Sequence, residues 1–247
     1  MRTYAIGDCH GQLALLRAAH TRIAADRAQT GDAAALVVHL GDLVDRGPDS
    51  AGVVELLRAG IAAGAPWAVI KGNHDRLFTQ FLNDPKWHDP GLRAEHSWLH
   101  PRLGGSATLA SYGVRNAADR PIAPVHADAV AAVPAIHRRF LEGLPLWLLR
   151  GEVLFVHAGI RPGVDMLAQA EDDLVWIRAP FLEDRRDHGV LVVHGHTALA
   201  EAAHYGNRVN LDSGAAYGGP LTAAVIEGRD VFVLEEGGRR ALRPEGT

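Results

Sequence analysis

The chain has 247 residues, of which 47% are hydrophobic and 22% charged, as in an ordinary globular protein. Its formal charge of −4 excludes a general attraction to nucleic acid or to an anionic membrane, so any phosphate must be bound at a local site. Cys9 is the single cysteine, which excludes an intramolecular disulfide, and no apolar run is long enough to span a bilayer. The first residues lack the apolar segment of a signal peptide, so we expect a cytoplasmic location.

The first third of the chain alternates short apolar runs with helical patterns. Residues 3–6, 36–40 and 67–70 are predicted strands. A helix after Gly11 is predicted from the regular spacing of Leu13, Leu16, Ala19 and Ile23, and Pro48 and Asp49 are well placed to start a second helix. This alternation predicts α/β layering.

Residues 76–140 are less regular, with several prolines and the Gly104–Gly105 pair, and are predicted to be a helical or loop insert in a single domain of residues 1–247. Strand patterns resume at residues 153–156, 190–193, 208–211, 221–226 and 230–234, and the last three are close enough in sequence for antiparallel pairing. A mixed sheet or a pair of sheets is expected. The tail beyond Gly237 looks prone to disorder.

Polar clusters follow the predicted strands. Asp8 and His10 follow the first strand, and their spacing of two is expected to place both side chains on one face. The other strand ends carry the strings GDLVDRG (residues 41–47), GNHD (72–75), HAG (157–159) and HGHT (194–197). Ligand sites collect at such strand ends, and carboxylate and imidazole groups are suitable metal ligands.

In this order the clusters resemble the calcineurin-like metallophosphoesterases, whose pattern is DxH, GDxxDRG, GNH[DE], H and GH. The resemblance implies an α/β fold of four layers, in which two mixed β-sheets are flanked by helices. It also implies two divalent metal ions, with manganese expected first and iron, zinc or cobalt compatible with the ligands. The implied ligands are Asp8 and His10 for the first ion, Asp42 for both, and Asn73, His157 and His196 for the second. His196 is preferred to His194 because the family's ligand directly follows glycine.

The string at residues 41–47 resembles in particular the phosphoprotein phosphatase branch, because Asp45 and Arg46 are both present. Other branches have a further histidine where this chain has Ala198. The resemblance implies that His74, paired with Asp45, is the general acid for the leaving group, while a metal-activated water is the nucleophile. Arg46 is expected to bind the phosphate, together with a second arginine. Arg178 is our choice for that arginine, and Arg161 is the alternative.

The leading functional prediction is a serine/threonine protein phosphatase, with tyrosine as a further target residue. The alternative enzyme is a hydrolase of symmetric diadenosine tetraphosphate or another nucleotide polyphosphate. A third hypothesis is a non-catalytic module that binds phosphoproteins. The expected partner is accordingly a phosphorylated protein or a small phosphate ester, and neither nucleic acid nor a membrane.

Overall fold

The computed structural model describes residues 1–244, which form eleven β-strands in two sheets and seven α-helices. The strands are β1 (Arg2–Ile6), β2 (Leu36–His39), β3 (Trp67–Val69), β4 (Trp147–Arg150), β5 (Val153–Val156), β6 (Leu191–His194), β7 (Ala203–His204), β8 (Arg208–Asn210), β9 (Ala223–Glu227), β10 (Asp230–Glu235) and β11 (Gly238–Ala241). The helices are α1 (Leu13–Thr30), α2 (Ser50–Ala62), α3 (Asn73–Asn83), α4 (Gly105–Ser111), α5 (Ile122–Ala132), α6 (Ala135–Glu142) and α7 (Glu171–Trp176).

Both sheets are mixed, as the sequence predicts. The first has the order β11-β10-β9-β1-β2-β3, in which β1, β2 and β3 are parallel and the remaining pairs antiparallel. The second has the order β4-β5-β6-β8-β7, with β5, β6 and β8 parallel. In both sheets the parallel strands deliver their carboxyl ends to a common edge.

Strand alternation produces four layers. In β1, Tyr4 and Ile6 face a large apolar cluster beneath the helices, whereas Ala5 faces a second cluster between the two sheets. In β5, Phe155 also belongs to the cluster between the sheets, and Leu154 packs on the opposite side with residues of α7. The predicted α/β class and the pair of flanked mixed sheets are therefore confirmed.

Two predictions for the C-terminal part of the chain are wrong. The strand at residues 208–211 does not pair with the two that follow it, because β8 lies parallel to β6 in the second sheet. The connection from residue 211 to residue 222 is long enough to carry the chain into the first sheet, where β9 pairs with β1. The tail beyond Gly237 was expected to be disordered, but Gly238–Ala241 pairs with β10, which satisfies its backbone hydrogen bonds. The remainder of that prediction, residues 245–247, lies outside the described residues.

The predicted insert, residues 76–140, contains most of α3, all of α4 and α5, and most of α6. Its apolar side chains join the same cluster as β1 and α1, for example through Phe78, Leu109 and Val125. The indole of Trp98 stacks on Phe78 with ring centroids 5.3 Å apart. This shared core supports the single domain of residues 1–247, which stays a prediction.

Two helices begin directly after or within the polar clusters. The Asp49 carboxylate caps α2 by accepting a hydrogen bond from the amide of Gly52 at 2.8 Å, as its position in the sequence predicts. Helix α3 begins at Asn73, directly after β3, so the GNHD string forms its first turn. Within residues 1–244, no helix combines the length and apolar character needed to cross a membrane.

Candidate metal centre and active site

The loops after β1, β2, β3, β5 and β6 converge at one edge of the molecule, and their backbone is unusual. Five residues in these loops that are not glycine have positive φ: His10 (40°), Asp42 (48°), Asp45 (75°), Arg46 (66°) and His196 (67°). Within residues 1–244 only Asn116 shares this property. Such conformations are unfavourable for residues with a Cβ and tend to gather at functional sites. The strain therefore marks the same residues that the sequence motifs select.

One group of possible metal ligands consists of Asp42, Asn73, His157 and His196. The Asn73 Oδ1 atom lies 3.0 Å from His157 Nε2 and 3.0 Å from His196 Nδ1. The Asp42 Oδ1 atom lies 3.4 Å from His157 Nε2. Ligand atoms of Asp42, His157 and His196 all lie within 4.8 Å of one another. The structure thus brings together the four residues assigned to the second ion.

Hydrogen bonding indicates that this group suits a cation. His157 Nδ1 lies 2.8 Å from the carbonyl oxygen of Leu40, so this nitrogen carries the proton and Nε2 presents a lone pair. That lone pair faces the Asn73 and Asp42 oxygens, which are also acceptors. Three acceptors facing one another without a proton repel, and a metal ion between them would satisfy all three. The buried His196 Nε2 has no partner within residues 1–244.

A second group contains His10, Asp42 and His74, whose ligand atoms also lie within 4.8 Å of one another. His10 Nδ1 donates to the carbonyl of Val44 at 2.8 Å, which leaves its Nε2 lone pair free for a ligand. Arg46 NH1 lies 2.5 Å from this Nε2, and Arg46 NH2 lies 2.8 Å from His74 Nε2. The Arg46 guanidinium therefore bridges the Nε2 atoms of His10 and His74.

Asp8 lies beside these groups but belongs to neither of them. Its Oδ2 accepts a hydrogen bond from the amide of His196 at 2.9 Å, and its buried Oδ1 has no partner within residues 1–244. Strand alternation does not apply to Asp8 and His10, so that prediction is wrong, because β1 ends at Ile6 and His10 has a left-handed backbone. Loop geometry, and not strand pleat, sets the direction of both side chains.

The buried carboxylates carry strongly shifted pKa values. Burial raises the pKa of Asp42, but the surrounding imidazoles of His157, His74, His10 and His196 outweigh burial, so its pKa is lowered overall. Burial, followed by the charges of Asp212 and Asp42, raises the pKa of Asp8 well above its usual value. A cation at the centre would relieve the repulsion among these carboxylates.

His74 and Asp45 form a hydrogen-bonded pair, with His74 Nδ1 2.6 Å from Asp45 Oδ2. Two residues of the insert also donate hydrogen bonds to the Asp45 carboxylate. Trp98 Nε1 donates to Asp45 Oδ2 at 2.8 Å, and Thr108 Oγ1 donates to Asp45 Oδ1 at 2.7 Å. Asp45 is fully buried, and its acceptors are occupied in a fixed geometry. The pair therefore presents His74 Nε2 towards the cleft.

Two glycines of the motifs, Gly72 and Gly195, are required because carboxylate side chains lie close to their backbone. A Cβ on Gly72 would lie 2.2 Å from Asp42 Oδ1, and a Cβ on Gly195 would lie 1.9 Å from Asp8 Oδ1. Real Cβ atoms do not approach other atoms this closely, so any side chain would displace a candidate ligand. The glycine before Asn73 and the glycine before His196 are thus part of the centre.

The two arginines considered for the second phosphate contact lie in different surroundings. Arg178 lines a cleft of about 340 Å³ together with His10, Asp42 and Arg46. Arg161 does not line this cleft, and its guanidinium forms a bidentate pair with Asp173 at 2.7 and 2.6 Å. The geometry favours Arg178. His194 is fully buried against Phe181 and belongs to neither ligand group.

Sequence reasoning missed several residues around the centre. Asp75 is fully buried and accepts from the amides of Leu43 at 3.0 Å and Gly72 at 2.9 Å, so it ties two of the loops together. Its place in the GNHD string could have indicated this role. Asp212 lines the cleft, and burial raises its pKa. Trp98 packs in the core of the insert, but its hydrogen bond to Asp45 has no local sequence signal.

Comparisons with known proteins agree with this picture. The sequence model of the family described as calcineurin-like phosphoesterase matches residues 1–225. The serine/threonine-protein phosphatase 1 of Salmonella typhimurium is 26% identical over 235 residues, which cover 91% of each chain. The asymmetrical bis(5'-nucleosyl)-tetraphosphatase PrpE of Geobacillus thermodenitrificans is 26% identical over 205 residues, covering 74% of this chain and 72% of that protein.

Solved structures show the same fold. A cold-active protein-tyrosine phosphatase from a psychrophilic Shewanella species superposes with a TM-score of 0.62 and 17% identity, covering 98% of this chain and 80% of that one. A provisionally named diadenosine tetraphosphatase superposes with a TM-score of 0.66 and 23% identity, covering 94% of this chain and 92% of that one.

Proposed function

This chain belongs to the calcineurin-like phosphoesterase family, and from that premise we propose that it is a hydrolase with two metal ions whose substrates include serine/threonine phosphoproteins. The observation that supports the proposal is the cluster of possible metal ligands around Asp42, in which His74 is also hydrogen-bonded to Asp45. A metal site that served only structure would need neither an acid nor a phosphate contact, so the non-catalytic hypothesis is disfavoured.

Asp8, His10 and Asp42 would hold one ion, and Asp42, Asn73, His157 and His196 would hold the other. When bound, the two ions supply a Lewis acid that activates water and neutralises phosphoryl charge. Manganese is the ion we expect first, because the ligand set of carboxylate, amide and imidazole is compatible with it. The carbonyls of Val44 and Leu40 keep the His10 and His157 rings oriented for this task.

His74 is the proposed general acid. Asp45 accepts a hydrogen bond from His74 Nδ1, which keeps its own proton. A second proton on Nε2 is therefore the one that can be transferred to the leaving oxygen. Asp45 also stabilises the imidazolium form through its charge. Serine and threonine alkoxides are poor leaving groups, and protonation helps their departure most. The presence of this pair therefore supports phosphomonoesters of aliphatic alcohols as substrates.

Arg46 and Arg178 are the proposed phosphate contacts. Arg46 lies over the ring of Tyr217, with 5.3 Å between its guanidinium carbon and the ring centroid, and both line the cleft. Arg46 donates to His10 and His74. Its planar fork can turn from these nitrogens to two phosphoryl oxygens once the imidazoles have other partners.

The test measures phosphate release by protein that has been stripped with a chelator and then given Mn²⁺. A phosphoserine peptide, a phosphotyrosine peptide and diadenosine tetraphosphate are offered in parallel, with the Asp42→Asn variant as a control. We expect Mn²⁺-dependent release from the phosphoserine peptide and little release by the variant. Binding of the phosphopeptide without release from any of the three esters would support the non-catalytic hypothesis instead.

A second candidate is hydrolysis of a dinucleoside tetraphosphate or a related nucleotide polyphosphate. Beyond Arg46 and Arg178, the cleft is also lined by Arg93 and Arg102, which exceeds the charge that one phosphate group requires. The tetraphosphatase named among the relatives is asymmetrical, whereas the alternative predicted from the sequence is a symmetric enzyme. Product analysis would distinguish ADP pairs from AMP with ATP.

A further inference from the structure

The cleft extends beyond the metal centre along a segment of the insert, residues 91–103. This segment contributes Leu92, Arg93, His96, Arg102 and Leu103 to the lining of the cleft. The volume of about 340 Å³ falls within the range of clefts that enclose a whole small ligand. The centre therefore occupies only part of the available space.

The arginines of this cleft lack carboxylate partners. Within residues 1–244, the guanidinium groups of Arg93, Arg102 and Arg178 make no hydrogen bond or ion pair. Elsewhere arginines are paired, as in Arg239 with Asp26 and Arg138 with Glu142. The carboxylates that line the cleft are Asp42 and Asp212, which lie at the metal centre. The outer wall thus carries arginines that form no ion pair within residues 1–244.

The segment is held against the centre from both sides. At its start, Arg76 forms a bidentate pair with the fully buried Asp89, with both distances 2.9 Å. At its end, the amide of Arg46 donates to the carbonyl of Gly104 at 3.3 Å. Between these points Trp98 donates to Asp45. Because these contacts include Asp45 and Arg46, the position of Arg93 and Arg102 relative to the centre is preorganised.

The charges indicate what this wall binds. Arg46 and Arg178 at the centre suffice for the scissile phosphate, so Arg93 and Arg102 are left for a second anionic group on the same molecule. Glu95 lies in the same segment but does not line the cleft. We propose that Arg93 and Arg102 form a second anion subsite, which makes the cleft bind a molecule that carries a second phosphate group more tightly than one with a single phosphate.

This proposal rests on the proposed hydrolysis at the metal centre, so the experiment separates the two. p-Nitrophenyl phosphate is the monophosphate substrate, and orthophosphate and tripolyphosphate are competing inhibitors at a constant concentration of free Mn²⁺. The variant is Arg93→Glu combined with Arg102→Glu, both at exposed positions. The matched control is Arg17→Glu combined with Arg185→Glu, which changes the net charge equally at exposed positions outside the cleft.

We expect wild-type protein to bind tripolyphosphate at least about tenfold more tightly than orthophosphate, since two added charge contacts are worth about 1.4 kcal/mol or more together. The cleft variant should lose this preference, whereas the control should keep it. Equal inhibition by both anions in wild-type protein, or an unchanged preference in the variant, would overturn the subsite.

Failure of the proposed function has a different signature. If no ester is hydrolysed with manganese, iron, zinc or cobalt, calorimetric titration of the metal-loaded protein with tripolyphosphate and orthophosphate still measures the binding preference directly. Tighter binding of tripolyphosphate that is lost in the cleft variant and kept in the control supports the subsite, and its absence refutes it. If diadenosine tetraphosphate is a substrate, its kcat/KM should fall by at least about tenfold in the cleft variant and stay unchanged in the control variant.

Discussion

Thr108→Val tests whether the insert positions His74 and Asp45, the proposed catalytic pair. The side chain is fully buried, and its hydroxyl donates to Asp45 Oδ1 at 2.7 Å while accepting from the Asp45 amide at 2.8 Å. Valine has nearly the same shape but lacks the hydroxyl. The change therefore removes a hydrogen bond to a buried carboxylate without opening a large cavity.

The magnitude follows from the charge of the acceptor. A hydrogen bond to a charged group contributes about 1.5–3 kcal/mol to stability, and here the carboxylate keeps Trp98 and His74 as partners. We expect the free energy of unfolding to fall by about 2 kcal/mol. Looser orientation of Asp45 should also lower kcat by about tenfold for esters with poor leaving groups, which corresponds to about 1.4 kcal/mol.

Thr79→Val is the matched control. This threonine is also buried in the insert, but its hydroxyl donates to the neutral backbone carbonyls of Asp75 and Arg76. Its loss should cost about 1 kcal/mol or less and should not affect the leaving-group dependence. Urea denaturation of the metal-free proteins measures stability, and phenyl phosphate compared with p-nitrophenyl phosphate measures the dependence on the leaving group.

Equal losses of the free energy of unfolding in Thr108→Val and Thr79→Val would refute the hydrogen bond's stabilising role. Equal reductions of the rates for both esters in Thr108→Val would refute its effect on the acid, because a general acid helps the poorer leaving group more.

Three further predictions follow from the same geometry. His74→Asn should retain two bound metal ions by elemental analysis while its rate falls most for poor leaving groups, and equal losses for activated and unactivated esters would refute the acid role. Asp42→Asn should weaken both ions, because its carboxylate is shared by both ligand groups, and full occupancy after dialysis would exclude the bridge. Burial lowers the pKa of His39 to about 3 and that of His20 to about 4, whereas unfolded imidazoles titrate near ~6.5. The unfolded state therefore binds more protons, so stability should fall as pH decreases from about 6.5 to about 4, by at most about 1.4 kcal/mol per pH unit for each histidine. Urea denaturation across this range should give a shallower slope for His39→Gln, and an unchanged slope would contradict the assignment.

The sequence alone determined the family, the α/β class and the pair of mixed sheets, all of which are confirmed. The reason is local: each motif directly follows an apolar run, and parallel strands bring their carboxyl ends to one edge. The choice of His196 over His194 likewise depended on the adjacent glycine, and Gly195 lies against Asp8 in the structure. The roles of the individual site residues stay predictions that the proposed experiments test.

Only the tertiary structure decided which distant residues complete the site. The contacts of Trp98 and Thr108 with Asp45 join positions 53 and 63 residues apart, and no local pattern indicates which buried polar group they will meet. The placement of β8 beside β6 and the convergence of Arg93, Arg102 and Arg178 on one cleft are equally non-local. Strand pairing and the neighbours of each charged group depend on how the whole chain packs. Local motifs therefore indicate the candidate ligands, but they do not indicate which residues surround them.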